Sequence, residues 1–321
     1  MTEKQNSLSM LKKENKNDIN LSVDIGRIHL ENPVIMCSGT FGYGEEYEQF
    51  YNTALLGAVT TKSYSLKSKE GNPPPRICET PAGLLNSIGL QNDGIDCFIK
   101  KHFPEAEKRG TKLILSIFGS DIDEFSELAY KVLEIKDKIV AVELNLSCPN
   151  IKNGGIVFSS VPADVKKIVH SVKRILKIPV IAKLSPNQHN LIEAATAAEK
   201  GGAEAISIIN TVVGMAVDVE TFKPRLANVT GGLSGPAIKP IALAKVYSLA
   251  KEKILPVIGM GGIFSVEDAL EFLIAGASAV GIGTANFIKY DTGVTIIEDL
   301  KGYLKERKIH DINEIIGRLE V

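Results

Sequence analysis

The chain has 321 residues, of which 44% are hydrophobic and 23% charged, and its formal net charge at pH 7 is -1. This composition is typical of a globular protein that buries a large core without disulfides or structural metal ions. The balanced charge and the lack of a basic block argue against nucleic acid or an anionic membrane as a partner, which leaves small molecules and other proteins.

The first twenty residues, "MTEKQNSLSMLKKENKNDIN", are polar and lack the apolar core of a signal peptide. No apolar run elsewhere in the sequence reaches the length of a membrane span. We therefore expect a loosely ordered extension over residues 1–20 and one folded domain over residues 21–321.

Eight short apolar runs, rich in Val and Ile, recur along the chain and predict parallel strands buried on both faces. They span residues 33–40, 58–65, 112–119, 141–148, 179–186, 205–211, 256–262 and 279–286. Segments with helical periodicity follow several of them, at 121–135, 161–176, 191–203 and 265–277, the last beginning with an S-x-x-D capping pattern.

This alternation predicts a single (β/α)8 TIM barrel. An open, doubly wound sheet is the alternative, and we disfavour it because no G-x-G-x-x-G motif follows the first strand. The longest segment without a pattern, residues 66–94, follows the second strand and is expected to build or cover the active site.

Polar residues and glycines stand at the ends of the predicted strands, where barrel enzymes place their chemistry. In chain order they are Ser38, Gly39, Lys62, Ser63, Ser116, Asn145, Ser147, Cys148, Lys183, Asn210, Thr211, Gly261, Gly262, Gly283 and Thr284. The glycines after the last two strands each precede a helix-like segment. Backbone N–H groups at such a position bind anions, so the pattern predicts a phosphate-bearing ligand there.

Lys183 lies inside an apolar run, where an uncompensated charge is costly. Three interpretations remain open from the residues alone. Lys183 could form a Schiff base, hold a negative charge on a cofactor ring, or be a core lysine whose amine reaches outward to solvent.

The four cysteines, at positions 37, 78, 97 and 148, are widely spaced and include no C-x-x-C pair. Their spacing predicts no zinc site and no iron–sulfur cluster, and scattered cysteines fit a reducing cytoplasm. Cys37 lies within a strand and is expected to be inert, whereas Cys78 and Cys97 are expected to be structural or surface thiols. Cys148 ends a strand before a glycine-rich loop, so it is either a buried inert thiol or one presented for chemistry.

Four motifs in this order carry a family resemblance: "TTKS" (60–63), "NSIGLQNDG" (86–94), "NLSCPNIKNGG" (145–155) and "GMGGI" (259–263). Together they resemble class 1 dihydroorotate dehydrogenases, the flavin enzymes of pyrimidine synthesis, over about residues 21–310. The Gly154–Gly155 pair and the "IGLQN" motif resemble the B type. The fumarate-using A type has a different loop after C-P-N, and the membrane-bound class 2 enzymes use a serine base.

The resemblance implies a role for individual residues. Cys148 would be the catalytic base on a mobile loop. The pyrimidine would be surrounded by Lys62, Asn86, Ser87, Ile88, Gly89, Leu90, Asn145, Asn210 and Thr211. FMN would be bound by Ser38, Gly39, Lys62, Ser63, Ser116, Asn145, Lys183 and Ile209, with its phosphate near Gly235, Gly261, Gly262, Gly283 and Thr284. Ser116 stands where the family usually has asparagine, and its shorter hydroxyl cannot make the same reach.

The implied reaction is the oxidation of dihydroorotate to orotate, with a hydride passing to FMN N5 and a proton to Cys148. The B type further implies a partner subunit carrying FAD and a [2Fe–2S] cluster, which passes electrons to NAD. A homodimer of this chain within a heterotetramer is expected. The alternatives are an A-type enzyme, or a flavin-free phosphate-binding lyase that uses Lys183.

Overall fold

The computed structural model describes residues 19–147, 149–150 and 156–321. Cys148 and the Gly154–Gly155 pair lie outside these residues, as does nearly all of the expected extension over residues 1–20. At the end of that extension, the Asn20 amide donates to Asp311 Oδ2 at 3.0 Å. Within the described ranges, no helix is both long and apolar enough to cross a membrane.

Eight parallel strands close into a barrel, which confirms the predicted fold. We number them β1 (Val34–Met36), β2 (Ala58–Thr60), β3 (Leu113–Ile117), β4 (Ala141–Asn145), β5 (Val180–Lys183), β6 (Ala205–Ile208), β7 (Val257–Met260) and β8 (Ala279–Ile282). Each strand lies within one of the predicted apolar runs and pairs with its neighbours in sequence, and β8 pairs with β1. The carboxyl ends of all eight strands therefore meet at one end of the barrel.

Within the described residues, eight α-helical segments surround the strands. They are α1 (Ile95–Cys97), α2 (Phe103–Lys108), α3 (Ile122–Val132), α4 (Pro162–Leu176), α5 (Leu191–Gly201), α6 (Lys239–Ala250), α7 (Val266–Ile274) and α8 (Thr292–Glu306). The four predicted helical segments correspond to α3, α4, α5 and α7. Ser265 caps α7 in a capping box with Asp268, as the S-x-x-D pattern predicted.

Two connections differ from a regular strand–helix alternation. Between β1 and β2 the described chain forms two short 3-10 helices, Glu45–Tyr47 and Thr53–Leu55, in place of an α-helix. Between α1 and α2 it forms a π-helical turn over Phe98–His102, which joins the two into one continuous helical segment.

The segment over residues 66–94 contains structure that the sequence did not reveal. Two of its strands, Ile77–Thr80 and Gly83–Asn86, form a hairpin. The hairpin continues into a four-stranded antiparallel sheet with Thr230–Ser234 and Val212–Met215. This sheet joins the chain after β2 to the chain after β6. Shorter paired strands are Val23–Ile25 with Ile28–Leu30, Pro149–Asn150 with Ile156–Val157, and Val217–Asp218 with Lys223–Pro224.

The barrel core is filled by the strands themselves and by the apolar faces of the helices. Phe125 and Leu128 of α3, and Val165 and Ile168 of α4, are fully buried. Full burial of such side chains contributes about 1.5–3 kcal/mol each relative to exposure. The strand ends are therefore carried by a well-packed core.

Glu204, just before β6, links the barrel to the turn between the paired strands Val23–Ile25 and Ile28–Leu30. Its carboxylate accepts hydrogen bonds from Arg27 Nε at 2.9 Å and from Lys173. Burial raises the pKa of Glu204, but these hydrogen bonds and charges outweigh it and lower the pKa to about 2. At pH values above the ordinary titration range of a glutamate, the ion-paired carboxylate therefore stabilises the folded state.

Candidate active site

A layer of buried polar side chains crosses the barrel on four adjacent strands. Strand register aligns Ser116 with Glu143, and Lys183 with Ser207. The Glu143 carboxylate accepts hydrogen bonds from Ser116 Oγ at 3.1 Å and from Ser207 Oγ at 2.8 Å. Lys183 Nζ lies 3.9 Å from Glu143 Oε1, and the two side chains are only 8% and 3% exposed.

This layer excludes one of the three interpretations of Lys183. Its side chain is buried, so it does not extend outward to solvent. A buried charge is tolerated where an opposite charge lies close to it, and the Glu143 carboxylate lies 3.9 Å from the Lys183 amine. Lys183 is therefore held as half of a buried ion pair at the end of β5.

Sequence reasoning missed Glu143 and Ser207. The available signal was a single acid in the apolar run "AVELN", with Lys183 in the next strand to match it. A buried acid inside a fully apolar strand requires a partner of opposite charge, and that rule would have linked the two residues.

Ser63 connects the ends of four strands. Its Oγ lies 2.8 Å from Ser116 Oγ and 3.3 Å from Ser38 Oγ. It also accepts a hydrogen bond from Asn145 Nδ2 at 3.3 Å. Ser116 is fully buried, and its hydroxyl bonds with both Ser63 and Glu143. The short side chain at this position thus completes an internal network.

The predicted amide residues form a second hydrogen-bonded set. Ser147 Oγ donates to Asn145 Oδ1 at 2.5 Å and accepts from Asn210 Nδ2. Asn210 Oδ1 in turn accepts from the Thr211 backbone N–H at 2.7 Å. The structure therefore brings Asn145, Asn210 and Thr211 together, with Ser147 between the first two.

Asn86 reaches this set from the antiparallel sheet. Its Nδ2 donates to the Gly232 carbonyl at 3.2 Å. A Cβ on Gly232 would overlap the Thr211 hydroxyl, so the two residues are in close contact. The sheet that was not predicted therefore places a predicted substrate residue, Asn86, beside the ends of the barrel strands.

The loop after Asn86 is held by Asn72. Asn72 Nδ2 donates to Ser87 Oγ at 3.0 Å, and its backbone N–H donates to the Ile88 carbonyl at 3.0 Å. Gly89 has a φ of +75°, and a Cβ there would lie 2.6 Å from Asn72 Cγ. Leu90 also has a positive φ, of 59°. Glycine is required at position 89, and the loop has one defined shape.

Lys62 lies on the wall of a cavity of about 330 Å³, together with Tyr43, Ile88, Asp93 and His102. A Cβ on Gly39 would lie 3.5 Å from Lys62 Nζ, so the lysine amine passes close to the end of β1. The cavity therefore presents a cation between the end of β2 and the 87–90 loop.

Glycines form a corner at the ends of β7 and β8. Gly235, Gly261 and Gly262 all have positive φ. A Cβ on Gly262 would lie 2.8 Å from the Gly235 carbonyl oxygen and 2.9 Å from the Lys239 backbone nitrogen. No side chain caps the 3-10 helices that begin after Gly235 and Gly283. These backbone ends can donate hydrogen bonds to an anion.

Two further predicted residues border this corner. Thr284 Oγ1 donates to Ser234 Oγ at 2.8 Å, which joins the end of β8 to the strand before Gly235. Ile209 is buried, and its Cγ1 lies 3.3 Å from the position of a Cβ on Gly261. The predicted phosphate residues are thus adjacent in space.

Cys37 matches the expectation of an inert thiol. It is buried, with its Sγ 3.7 Å from Met260 Sδ. Burial raises its pKa to about 12, an effect that the nearby charge of Lys183 only partly offsets. The thiolate, which is the reactive form, is therefore absent at neutral pH.

Comparison with known proteins places the chain in a family. A family model described as dihydroorotate dehydrogenase matches residues 20–304. A protein of Thermoanaerobacter sp. (strain X514) named "Dihydroorotate dehydrogenase B (NAD(+)), catalytic subunit" is 50% identical over 303 residues, covering 94% of this chain and 100% of that protein. A protein of the same name from Geobacter sulfurreducens is 50% identical over 94% of this chain and 98% of its own length. The chain belongs to the dihydroorotate dehydrogenase family.

Proposed function

We propose that this chain is the catalytic subunit of a B-type dihydroorotate dehydrogenase, which oxidises dihydroorotate to orotate in pyrimidine biosynthesis and passes the electrons on to NAD. The observation that carries the proposal is the continuous hydrogen-bonded set from Ser63 through Asn145 and Ser147 to Asn210. It lies at the carboxyl ends of the strands, beside the buried pair of Lys183 and Glu143. The names of the relatives agree with this chemistry.

The residues present fit FMN. The glycine corner leaves no room for a Cβ at Gly262 and offers uncapped backbone ends, which suits a phosphate. Lys183 is a buried cation at the same end of the barrel, as a flavin that becomes anionic on reduction requires. When bound, FMN supplies the acceptor for a hydride. Ser38, Gly39, Ser63, Ile209, Gly261, Gly283 and Thr284 would complete its site.

The substrate is a ring that carries alternating N–H and C=O groups and a carboxylate. Side-chain amides offer donors and an acceptor to such a ring, and Asn86, Asn145 and Asn210 converge at the strand ends. Lys62 supplies the cation for the carboxylate from the wall of its cavity. The 87–90 loop would close the remaining edge.

Oxidation removes a proton from C5 of dihydroorotate and a hydride from C6. Cys148 would take the proton as a thiolate, since a free cysteine has a pKa of about 8.5 and this residue directly follows Ser147, a member of the amide set. Ser147 and Asn210 would orient the ring so that C5 faces the thiol. Lys183, held by Glu143, would balance the negative charge that arises on the opposite face.

The ion pair also weighs against the flavin-free alternative. A Schiff-base lysine must present a neutral amine to its substrate, and a second cation or an apolar pocket usually favours that form. Lys183 instead faces the Glu143 carboxylate at 3.9 Å, which also accepts hydrogen bonds from Ser116 and Ser207. The observation therefore supports a charge-holding role.

The route from reduced FMN to NAD requires a second protein, because this sequence contains no C-x-x-C motif and no dinucleotide fingerprint. We propose a partner subunit with FAD and a [2Fe–2S] cluster, and a heterotetramer built on a homodimer of this chain. Two exposed apolar patches suit such contacts. One comprises Val213, Met215, Val217, Val219 and Phe222, and the other Phe50, Phe287, Ile288 and Tyr290.

The role of Cys148 can be tested by stopped-flow measurement of anaerobic flavin reduction by dihydroorotate. Cys148→Ala and Cys148→Ser are expected to retain FMN and to slow reduction at least about a hundredfold, because a positioned base contributes about 10²–10⁴ in rate. Cys78→Ser is a matched control that is expected to react at the normal rate. Normal reduction in Cys148→Ala would refute the assignment of the base.

The electron acceptor separates the two types. With dihydroorotate as donor, the isolated chain is expected to reduce fumarate slowly and to reduce NAD only when the partner subunit is added. Rapid fumarate turnover by this chain alone would instead identify an A-type enzyme.

A further inference from the structure

Three potential metal ligands converge where the end of the loop after Asn86, which we take here as the 87–94 loop, meets α1 and the π turn that follows it. His102 Nε2 lies 3.3 Å from Asp93 Oδ2 and 3.9 Å from Cys97 Sγ. All three ligand atoms lie within 4.8 Å of one another. Neither the amide set nor the glycine corner uses these residues. We propose that Asp93, Cys97 and His102 form a binding site for a zinc-like divalent cation.

Two of the ligand separations are close to those of tetrahedral coordination. Zinc binds nitrogen and oxygen at about 2.0 Å and sulfur at about 2.3 Å. At tetrahedral angles these lengths imply separations of about 3.3 Å between nitrogen and oxygen and about 3.5 Å between nitrogen and sulfur. The observed distances from His102 Nε2 are 3.3 Å to Asp93 Oδ2 and 3.9 Å to Cys97 Sγ. Small rotations of two side chains would complete the geometry.

The helix is built in a way that brings two of the ligands together. At 3.6 residues per turn, residues five apart on an α-helix point about 140° away from each other. Here the chain makes a π turn over Phe98–His102, and the Phe103 N–H bonds to the Phe98 carbonyl, five residues back. That turn places His102 one turn above Cys97 on the same side. Such turns occur frequently at functional sites.

His102 is oriented by a partner behind it. Tyr43 Oη lies 2.6 Å from His102 Nδ1, and the two rings are 4.7 Å apart. The Tyr43 hydroxyl can accept from Nδ1–H, which leaves the Nε2 lone pair directed at Asp93 and Cys97. Metal-binding histidines are commonly held in this way.

Asp93 is fixed from the loop side. Its neighbour Asn92 is buried and donates to Ser65 Oγ at 2.9 Å, and Asn92 Oδ1 accepts from the Gly94 N–H at 2.9 Å. The Asp93 side chain itself is 68% exposed, so an ion can enter and a water can occupy the fourth position. Thiolate, imidazole and carboxylate together favour zinc over magnesium or calcium.

The ion would tie the 87–94 loop to the helix on the wall of the cavity that contains Lys62. The cysteine spacing alone predicted no zinc site and assigned Cys97 as a structural or surface thiol. The loop and the π turn bring Cys97 beside Asp93 and His102, so we reassign Cys97 as a metal ligand.

Isothermal titration of the FMN-loaded chain with ZnCl₂ tests the proposal. We expect one ion per chain, and a rise in unfolding temperature with zinc because an ion bound only by the folded state stabilises it. Cys97→Ser and His102→Ala should each weaken binding at least about tenfold, and Tyr43→Phe should weaken it with all three ligands intact. FMN content reports whether each variant has folded.

Cys148→Ser and Cys78→Ser are the matched controls, since each removes a thiol but keeps Asp93, Cys97 and His102. Both are expected to bind zinc as the unmodified chain does. Zinc binding that survives in the Cys97→Ser/His102→Ala double variant, or that is lost in Cys148→Ser, would overturn the assignment. An absence of binding to the unmodified chain would overturn it as well.

Discussion

The buried pair between Glu143 and Lys183 makes a quantitative prediction about stability. Glu143→Gln keeps the size and shape of the side chain and removes its charge. Lys183 would then remain buried without the carboxylate charge that lies 3.9 Å from its amine. Ser116 and Ser207 would compete for one amide oxygen. We expect this variant to be strongly destabilised.

The magnitude follows from the geometry. At 3.9 Å and an effective dielectric constant of about 20, two unit charges attract by about 4 kcal/mol. Removing one member of a buried pair typically costs about 3–5 kcal/mol, because the other charge stays desolvated. We therefore predict that Glu143→Gln lowers the free energy of unfolding by about 3 kcal/mol or more.

Urea unfolding followed by circular dichroism measures this change. Glu298→Gln is the matched control, since Glu298 pairs with Lys301 at 2.9 Å on the exposed face of α8. An exposed pair contributes at most about 1 kcal/mol. Equal, small effects of the two substitutions would show that Glu143 and Lys183 are not a buried ion pair, and the argument for the charge held at Lys183 would fail.

Three further substitutions test other parts of the account. Gly262→Ala should lower FMN affinity about tenfold, equivalent to about 1.4 kcal/mol, whereas Gly302→Ala, with nothing near its Cβ position, should leave it unchanged in a fluorescence titration. Ser116→Ala removes one hydrogen bond to the Glu143 carboxylate and should reduce stability by about 1–3 kcal/mol in urea. The pKa of Glu204 is lowered to about 2 in the folded chain, so its stabilisation is complete above about pH 4.5 and is lost as the pH falls toward 2. Glu204→Gln should therefore unfold with a weaker pH dependence across that window; an unchanged slope would contradict the ion pairing.

The barrel could be predicted because residues close together in sequence determine each of its elements. Each strand is a short apolar run, and the capping box of Ser265 with Asp268, three residues later, marks the start of α7. The antiparallel sheet could not be predicted in this way. Its central pairing joins Gly83–Asn86 to Thr230–Ser234, which are far apart in sequence, and both strands contain glycine, which is a weak strand former.

The site residues also differ in whether local sequence or contacts between distant segments determine their roles. Residues at strand ends, such as Asn145 and Asn210, could be selected because a barrel gathers those ends at one face. Glu143 was missed, although an acid inside an apolar run was a signal for a buried partner of opposite charge. Its hydrogen bond to Ser116 follows only from strand register, and its distance from Lys183 only from the closed barrel. The π turn that brings His102 over Cys97 leaves no pattern in the sequence either.

The most direct test of the central claim is an anaerobic titration of the purified, FMN-loaded chain with dihydroorotate. The account predicts that the flavin absorbance is lost and that one orotate forms for each FMN reduced. A chain that retains FMN and keeps its full absorbance in excess dihydroorotate would contradict it.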